Sequence, residues 1–221
     1  MSQTLTIPTR EVAAPSRPSL LGRLFAGSAY VLTGFPLALV AFILLVTGAS
    51  LALGTLVIVV GFAIAALTLA VARGFAALER TRAAAVLGRP IPAPAYRPLR
   101  PGALGAALSA GADPRRWLDL VHGLAALPVA IVTFSLVLAW WASALGGLSY
   151  VAWEWAIPRG EDDTNLAELI GLGDGRIADI LLTTGIGLVA LLTLPLVVRG
   201  AAAVQAGLAQ ALLTGHAERR R

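Results

Sequence analysis

The chain has 221 residues, of which 57% are hydrophobic and 13% charged, and its mean hydropathy is +0.81. A water-soluble domain carries about 25% charged residues, and one core of this size cannot hide so much apolar surface, so the composition excludes an ordinary soluble domain and predicts one solvated in part by a bilayer. The formal charge is +5; all 17 basic residues are arginine and there is no cysteine, which excludes Schiff-base chemistry, a lysine-dependent phosphate loop, disulfides, thiolate metal sites and cysteine nucleophiles.

Residues 1–19 are rich in Ser, Thr and Pro and have no apolar period. They predict a disordered tail. The next apolar run is too long for a cleaved signal peptide. A span needs about 20 mostly apolar residues, and four stretches qualify, at about 24–46, 51–72, 121–145 and 180–198. Pro36 and Pro128 each lie about one-third of the way into a span. A proline there removes a backbone hydrogen bond and kinks the helix. The pair reads either as a hinge that transmits motion or as inherited packing geometry. Gly54 and Gly61 are expected on one face of the second span, where they permit close helix approach, and Gly185 and Gly187 likewise in the fourth.

After the second span, residues 73–88 continue as a helix towards Gly88, a predicted stop. Five prolines from Pro90 to Pro101 then make a stiff, extended linker. Asp113 and Pro114 are the expected cap and first position of another helix, which places Trp117 at the membrane surface. Trp140 and Trp141 fit an interfacial aromatic belt. Beyond them lies a connection, Gly146 to Asp179, that carries Trp153, Glu154 and Trp155 and the acidic run Glu161, Asp162 and Asp163. These six are the candidate sensing residues. The alternatives are membrane anchoring for the tryptophans and a solvated loop for the acids. If the segment is extended, Trp153 and Trp155 share one face and Glu154 takes the other; if helical, it lies along the interface. After the fourth span, Gln205 and Gln210 are expected to face away from a stripe of Val204, Leu208 and Leu212. Gly215 is a predicted stop before a basic tail, 216–221.

Arginine placement sets orientation. Fifteen of the 17 arginines fall before the first span, between the second and third, or after the fourth, while the other side holds only Arg159 and Arg176 and seven of the twelve acids. Both termini are therefore expected in the cytoplasm. The high positive charge is a topology signal and not a nucleic-acid footprint. His122 and His216 are too far apart to form a metal site. No serine–histidine–acid set is visible; the best interfacial cluster, Trp117, Asp119 and His122, is a weak basis for an enzyme acting on lipid. The span interiors hold no Asp, Glu or Arg, so a proton relay lacks its usual parts.

The chain repeats itself weakly. Residues 30–42 align with 122–134, matching Pro36 with Pro128, and Arg73-Gly74 aligns with Arg199-Gly200. This predicts two hairpins in the same orientation, unlike the inverted repeats of many transporters, with the second half carrying an added outer loop. Arg73, Gly74, Arg199 and Gly200, with the two prolines, are the candidate transmission residues.

Five motifs carry a family resemblance: Tyr30-x-Leu-Thr-Gly-x-Pro-Leu, Arg73-Gly-x-Ala-x-Leu-Glu-Arg, Asp113-Pro-x-x-Trp-x-Asp-Leu, Leu127-Pro-x-x-x-x-x-Phe134 and Pro195-x-Val-Val-Arg-Gly200. Over about residues 20–215 the chain resembles the putative sensor domain of actinobacterial two-component histidine kinases. In that family the four-span module precedes a dimerisation helix with a phosphoacceptor histidine and an ATP-binding domain. Here the sequence stops six residues past Gly215 without those parts, which leaves open a stand-alone sensor that works with a separate partner, or a fragment or shortened relative of a kinase.

The expected fold is all-α: an integral membrane protein of four transmembrane helices in two parallel-repeated hairpins, with cytoplasmic helices beside the membrane. The expected function is a non-enzymatic sensor or signalling module of the cell membrane without a cofactor or metal. Its expected partners are the lipid bilayer and either a second copy or a cytoplasmic histidine kinase and response regulator, with no nucleic acid. The alternative is a membrane transport component or permease accessory subunit.

Overall fold

The structure is a computed structural model, and it describes residues 19–58, 60–157, 166–171 and 175–214. Helix α1 spans Leu20–Gly54, α2 Val60–Leu87, α3 Ala103–Gly111, α4 Pro114–Trp153, α5 Leu166–Leu169 and α6 Arg176–Leu213; short 3-10 turns lie at Leu56–Ile58 and Glu154–Ala156. Among the described residues there is no strand. The four long helices are α1, α2, α4 with its 3-10 extension, and α6, and each is long and apolar enough to cross a membrane. The chain is thus an all-α, multi-pass membrane protein.

Local chemistry explains where the helices start and stop. Ser19 caps α1, its hydroxyl accepting from the Gly22 amide at 3.1 Å. Gly88, at φ 66°, ends α2 because only glycine adopts that conformation without a Cβ clash. Asp113 caps α4, accepting from the Arg115 amide at 3.1 Å, with Pro114 in the first turn. The 40-residue α4 is about 60 Å long at 1.5 Å per residue, twice the hydrocarbon thickness. Its ends therefore project beyond any bilayer that its middle crosses.

The packing is small inside and large outside. The core joins Tyr30 and Val31 of α1, Ala76 and Ala83 of α2, Val137 of α4 and Leu194, Ala202 and Ala206 of α6. Leu181, Val189, Leu192 and Leu196 of α6 point outward and are exposed. Water would penalise that surface by about 25 cal/mol per Å², whereas lipid tails solvate it. Close approach is sharpest where α4 crosses α6. A Cβ built on Gly147 would lie 2.6 Å from the Gly187 Cα.

Several expectations change. The second span is expected from residue 51, but α1 runs through Gly54 and α2 starts only at Val60. Gly54 and Gly61 therefore sit on different helices. Gly61 packs under the turn, against the Ala52 carbonyl and the Leu56 backbone, while Gly54 and Gly185 have open space around them. The outer connection is shorter than 146–179, because α4 continues to Trp153 and α6 begins at Arg176. Trp140 and Trp141 form no free belt. They pack between helices, with indole N–H groups donating to Thr193 Oγ1 and Ser28 Oγ, each at 3.0 Å. On α6 the expected arrangement reverses at one pair, with Gln205 buried and Val204 exposed, while Leu208, Gln210 and Leu212 are all half-buried.

The largest correction concerns direction. Phe25 stacks on Trp141, Phe35 meets Phe134, and Leu45 fills the space beside Gly123. Numbers that rise along α1 fall along α4, so these two helices run antiparallel. Helix α2 folds back on α1, with Arg82 reaching Thr33 and Gly48 lying on Thr68. Helix α6 folds back on α4, with Trp140 on Thr193 and Thr133 on Gln205. Each half is the expected hairpin, but the halves pack head to tail and not in the same direction. The sequence repeat records which residues recur. It carries no information on the direction in which one half docks on the other.

Candidate functional site

Buried charge concentrates where α2, the proline-rich linker and the start of α4 meet. Asp113, Arg116 and Asp119 recur every three residues and so share one face of α4; all three are buried. Asp119 accepts a hydrogen bond from the Tyr96 hydroxyl at 2.8 Å and faces Arg80 of α2 at 3.7 Å. The Arg73 guanidinium lies over the Tyr96 ring, 4.3 Å from its centroid, a cation–π contact. Asp113 accepts from the Arg97 amide at 2.9 Å and stands 3.6 Å from Arg116. The Arg115 side chain donates to the Ala95 carbonyl. Tyr96 thus bolts the linker to both α2 and α4. Its phenol is pushed above the usual tyrosine range, first by burial and then by its bond to Asp119.

The balance in this cluster is cationic. Arg73, Arg80 and Arg116 face Asp113 and Asp119, and the nitrogens Arg80 Nη1 and Arg116 Nε are buried without a hydrogen-bond partner. His122 lies one turn beyond Asp119 and is buried. It lines a small cavity of about 40 Å³ together with Gly34, Ala38, Glu79 and Gln205. That is room for a water molecule or two and too little for an organic ligand.

Beside the cavity, Tyr30 of α1 donates its hydroxyl proton to Glu79 at 2.6 Å, and Arg82 binds the same carboxylate at 2.7 Å. Arg82 also donates to the Tyr30 carbonyl and the Thr33 hydroxyl, each at 2.8 Å. Polar contacts therefore lock α2 to α1 as well as to α4. A shift of α2 along its axis would break both sets.

A second polar site closes the far end of the α4–α6 hairpin. The Tyr150 hydroxyl donates to Asp179. Arg176 donates to Glu154 at 2.7 Å, and Glu154 is fully buried while Arg176 is 62% exposed. Of the six candidate sensing residues, Trp153 and Trp155 are exposed, in a helical and not an extended segment. Glu154 is turned inward as an ion-pair partner. Glu161, Asp162 and Asp163 lie outside the described residues.

The candidate transmission residues are scattered. Pro36 and Pro128 both lie inside helices, joined by Pro195, and all three are exposed. Arg73 belongs to the Tyr96 cluster, whereas Arg199 and Gly200 are exposed on α6. Sequence reasoning passes over Tyr96, Arg80, Arg116 and Glu79. The spacing of Asp113, Arg116 and Asp119 is a signal that marks one charged face, and that face is the one that turns inward.

A family model described as Putative sensor matches residues 30–213. No curated protein and no solved structure matches.

Proposed function

The chain belongs to the Putative sensor family, and from that premise we propose that it is a non-enzymatic signalling module of the bacterial cell membrane. In this reading the outer end of the α4–α6 hairpin, with Trp153 and Trp155 exposed beside the Glu154–Arg176 pair, meets a stimulus outside the membrane or within the bilayer. The long helices carry it inward. Helix shifts of about 1–2 Å suffice for such signals. The observation that carries the reading is the double polar attachment of α2, to α1 through Glu79 and Arg82 and to the linker and α4 through Arg73 and Arg80. An element held at two sites by specific pairs has discrete positions, which a switch requires. Pro36, Pro128, Gly74, Arg199 and Gly200 belong to the same transmitting helices.

The receiver is a cytoplasmic partner of the histidine-kinase or response-regulator type, reached directly or through a second copy of this chain. The arginine partition supports cytoplasmic termini, but with the start of α1 level with the Trp141 end of α4 and α6 antiparallel to α4, the described packing leaves only the end of α6 on the face opposite Trp153. The antiparallel contact of α1 with α4 favours a second reading of the topology, in which the two hairpins face opposite ways.

The test is a chimera of the full chain with the catalytic parts of a histidine kinase, with autophosphorylation measured across ionic strength, osmotic strength and membrane-active agents. A signal-dependent response that disappears when residues 154–175 are replaced by a short glycine linker supports the sensing assignment. A response that persists unchanged in the linker variant refutes it.

A further inference from the structure

The small cavity beside His122 brings together two polar groups that the bundle leaves unmatched. His122 and Gln205 both line it, and they are only 5% and 8% exposed, so bulk water does not satisfy them. Gln205 directs its amide N–H to Thr133 at 2.6 Å. Its carbonyl Oε1 lies over Gly34, where an added Cβ would come within 2.8 Å of it, and it accepts no hydrogen bond from a described residue. The His122 ring is likewise hydrogen-bonded to no described residue. A buried carbonyl or imidazole without a partner is costly, and two such groups on one cavity point to an occupant that serves both. The space exists because Gly34, Ala38 and Ala126 are small.

Charge and size narrow the choice. An anion there would face the Glu79 carboxylate, and a cation would face Arg82, 2.7 Å from that carboxylate, so a neutral occupant fits best. A volume of about 40 Å³ admits one or two heavy atoms, and a polar space of that size holds water when two to four polar partners surround it. We propose that the cavity is a site for an ordered water molecule that accepts the His122 ring N–H and donates its two protons to Gln205 Oε1 and the Glu79 carboxylate. The count balances, because a carboxylate that already accepts from Tyr30 and Arg82 keeps spare lone pairs. Tyr30 belongs to α1, Glu79 to α2, His122 to α4 and Gln205 to α6, so the water joins all four long helices at one junction. Helix α2 cannot then slide along α1 without remaking it. The inference needs only the cavity and holds whichever way the helices cross the membrane and whatever the chain signals.

The full chain, reconstituted in lipid nanodiscs with isotope-labelled histidine, is probed by NMR for magnetisation transfer from water to the carbon-bound ring protons. There are two histidines, and His122→Phe assigns their signals. Transfer to the His122 ring with the sign of a long-lived bound water is expected, and Ala126→Leu, which fills the space with apolar atoms, should abolish it. The thermal unfolding midpoint gives a second readout. With a bridging water, His122→Phe removes the water's donor, orphans Gln205 Oε1 and should lower the midpoint by about 2–4 °C. In a dry cavity the same change removes an unmatched imidazole and should raise it. Xenon, which enters dry apolar cavities, should leave the midpoint of the native chain unchanged. No transfer to the His122 ring, a raised midpoint in His122→Phe, or stabilisation by xenon would each overturn the site. So would transfer that survives Ala126→Leu, since the ring would then be meeting bulk water from another side.

Discussion

Gln205 of α6 donates its amide proton to the Thr133 hydroxyl of α4 at 2.6 Å, and both side chains are buried. The hydroxyl in turn donates to the Val129 carbonyl at 2.8 Å. Removing the amide leaves Thr133 Oγ1 with its own proton placed but its acceptor site empty. Gln205→Leu should therefore destabilise by about 1 kcal/mol, the usual size of an interhelical hydrogen bond in a membrane protein. Thr133→Val should cost a similar amount. The double variant should recover part of the loss, because replacing both partners by apolar groups leaves nothing unsatisfied. Thermal midpoints in detergent, read as a double-mutant cycle, check this; strictly additive losses would mean the bond contributes nothing.

The α4–α6 crossing makes a sharper prediction about glycines. A Cβ on Gly147 would lie 2.6 Å from the Gly187 Cα and 2.7 Å from the Thr183 carbonyl, all of it backbone that cannot rotate away. Gly147→Ala and Gly187→Ala should each destabilise by about 1–3 kcal/mol through overpacking. Gly146 and Gly185 have nothing within 4 Å, so alanine there should be neutral or slightly stabilising, by up to about 1 kcal/mol from helix propensity. Loss of stability at all four positions would show that backbone contact is not what the glycines serve.

The glutamine and the glycines mark the border of what the sequence makes legible. The long apolar runs, the Gly88 stop, the Asp113 cap and the proline linker are all readable, because each is a local rule acting within a turn or two. Gln205 is not. A helix with lipid on one side and alanines on the other has no polar face to orient it, so Val204 looks as buried as Ala206. Tyr96 is equally hidden, since its partners lie 23 residues away on both sides, at Arg73 and Asp119. Nor is Glu154 legible as an ion-pair partner: a lone carboxylate between two tryptophans reads as exposed until Arg176 is placed beside it.

Glu154 is accordingly predicted to act on stability before it acts on any ligand. Its carboxylate is fully buried but its partner Arg176 is 62% exposed, so solvent screens much of the attraction. Arg176→Gln should cost about 1 kcal/mol and Glu154→Ala more, since it also removes the packing of a fully buried side chain. Hydrogen exchange at the end of α4 should rise in both variants. If Glu154→Ala is fully stable, the residue is free to serve as a ligand acid.

Tyr96 gives a pH dependence with a definite sign. Burial and the bond to Asp119 raise its pKa in the folded chain, so folding favours the protonated phenol. The stability this contributes is complete below the ordinary tyrosine pKa of about 10 and is lost as pH climbs from there through the folded value. Unfolding midpoints of the native chain should thus fall above pH 10. Tyr96→Phe should lose about 1 kcal/mol at neutral pH and show a shallower alkaline decline. An identical decline in the variant would place the titration elsewhere.

The relative direction of the halves is open to a covalent test, because the chain has no cysteine of its own. Two hairpins repeated in the same orientation would bring Phe25 level with Trp117, following the alignment of Tyr30 with His122. The structure instead stacks Phe25 on Trp141, with ring centroids 5.9 Å apart. Cysteines at 25 and 141 should be joined by a short bis-maleimide in native membranes, and cysteines at 25 and 117 should not. Helices about 60 Å long keep the two outcomes far apart, since positions 117 and 141 lie on one helix separated by more than the thickness of the hydrocarbon layer. Reporter fusions at residue 95 supply the second half of the test. Linkage at 141 with residue 95 in the cytoplasm would require α4 to enter from the opposite face to α1, and the linker to pass along the bundle beside α2, where the Tyr96 contacts with Arg73 and Asp119 already hold it. Linkage at 117 would restore the same-direction repeat and overturn the packing of α1 on α4.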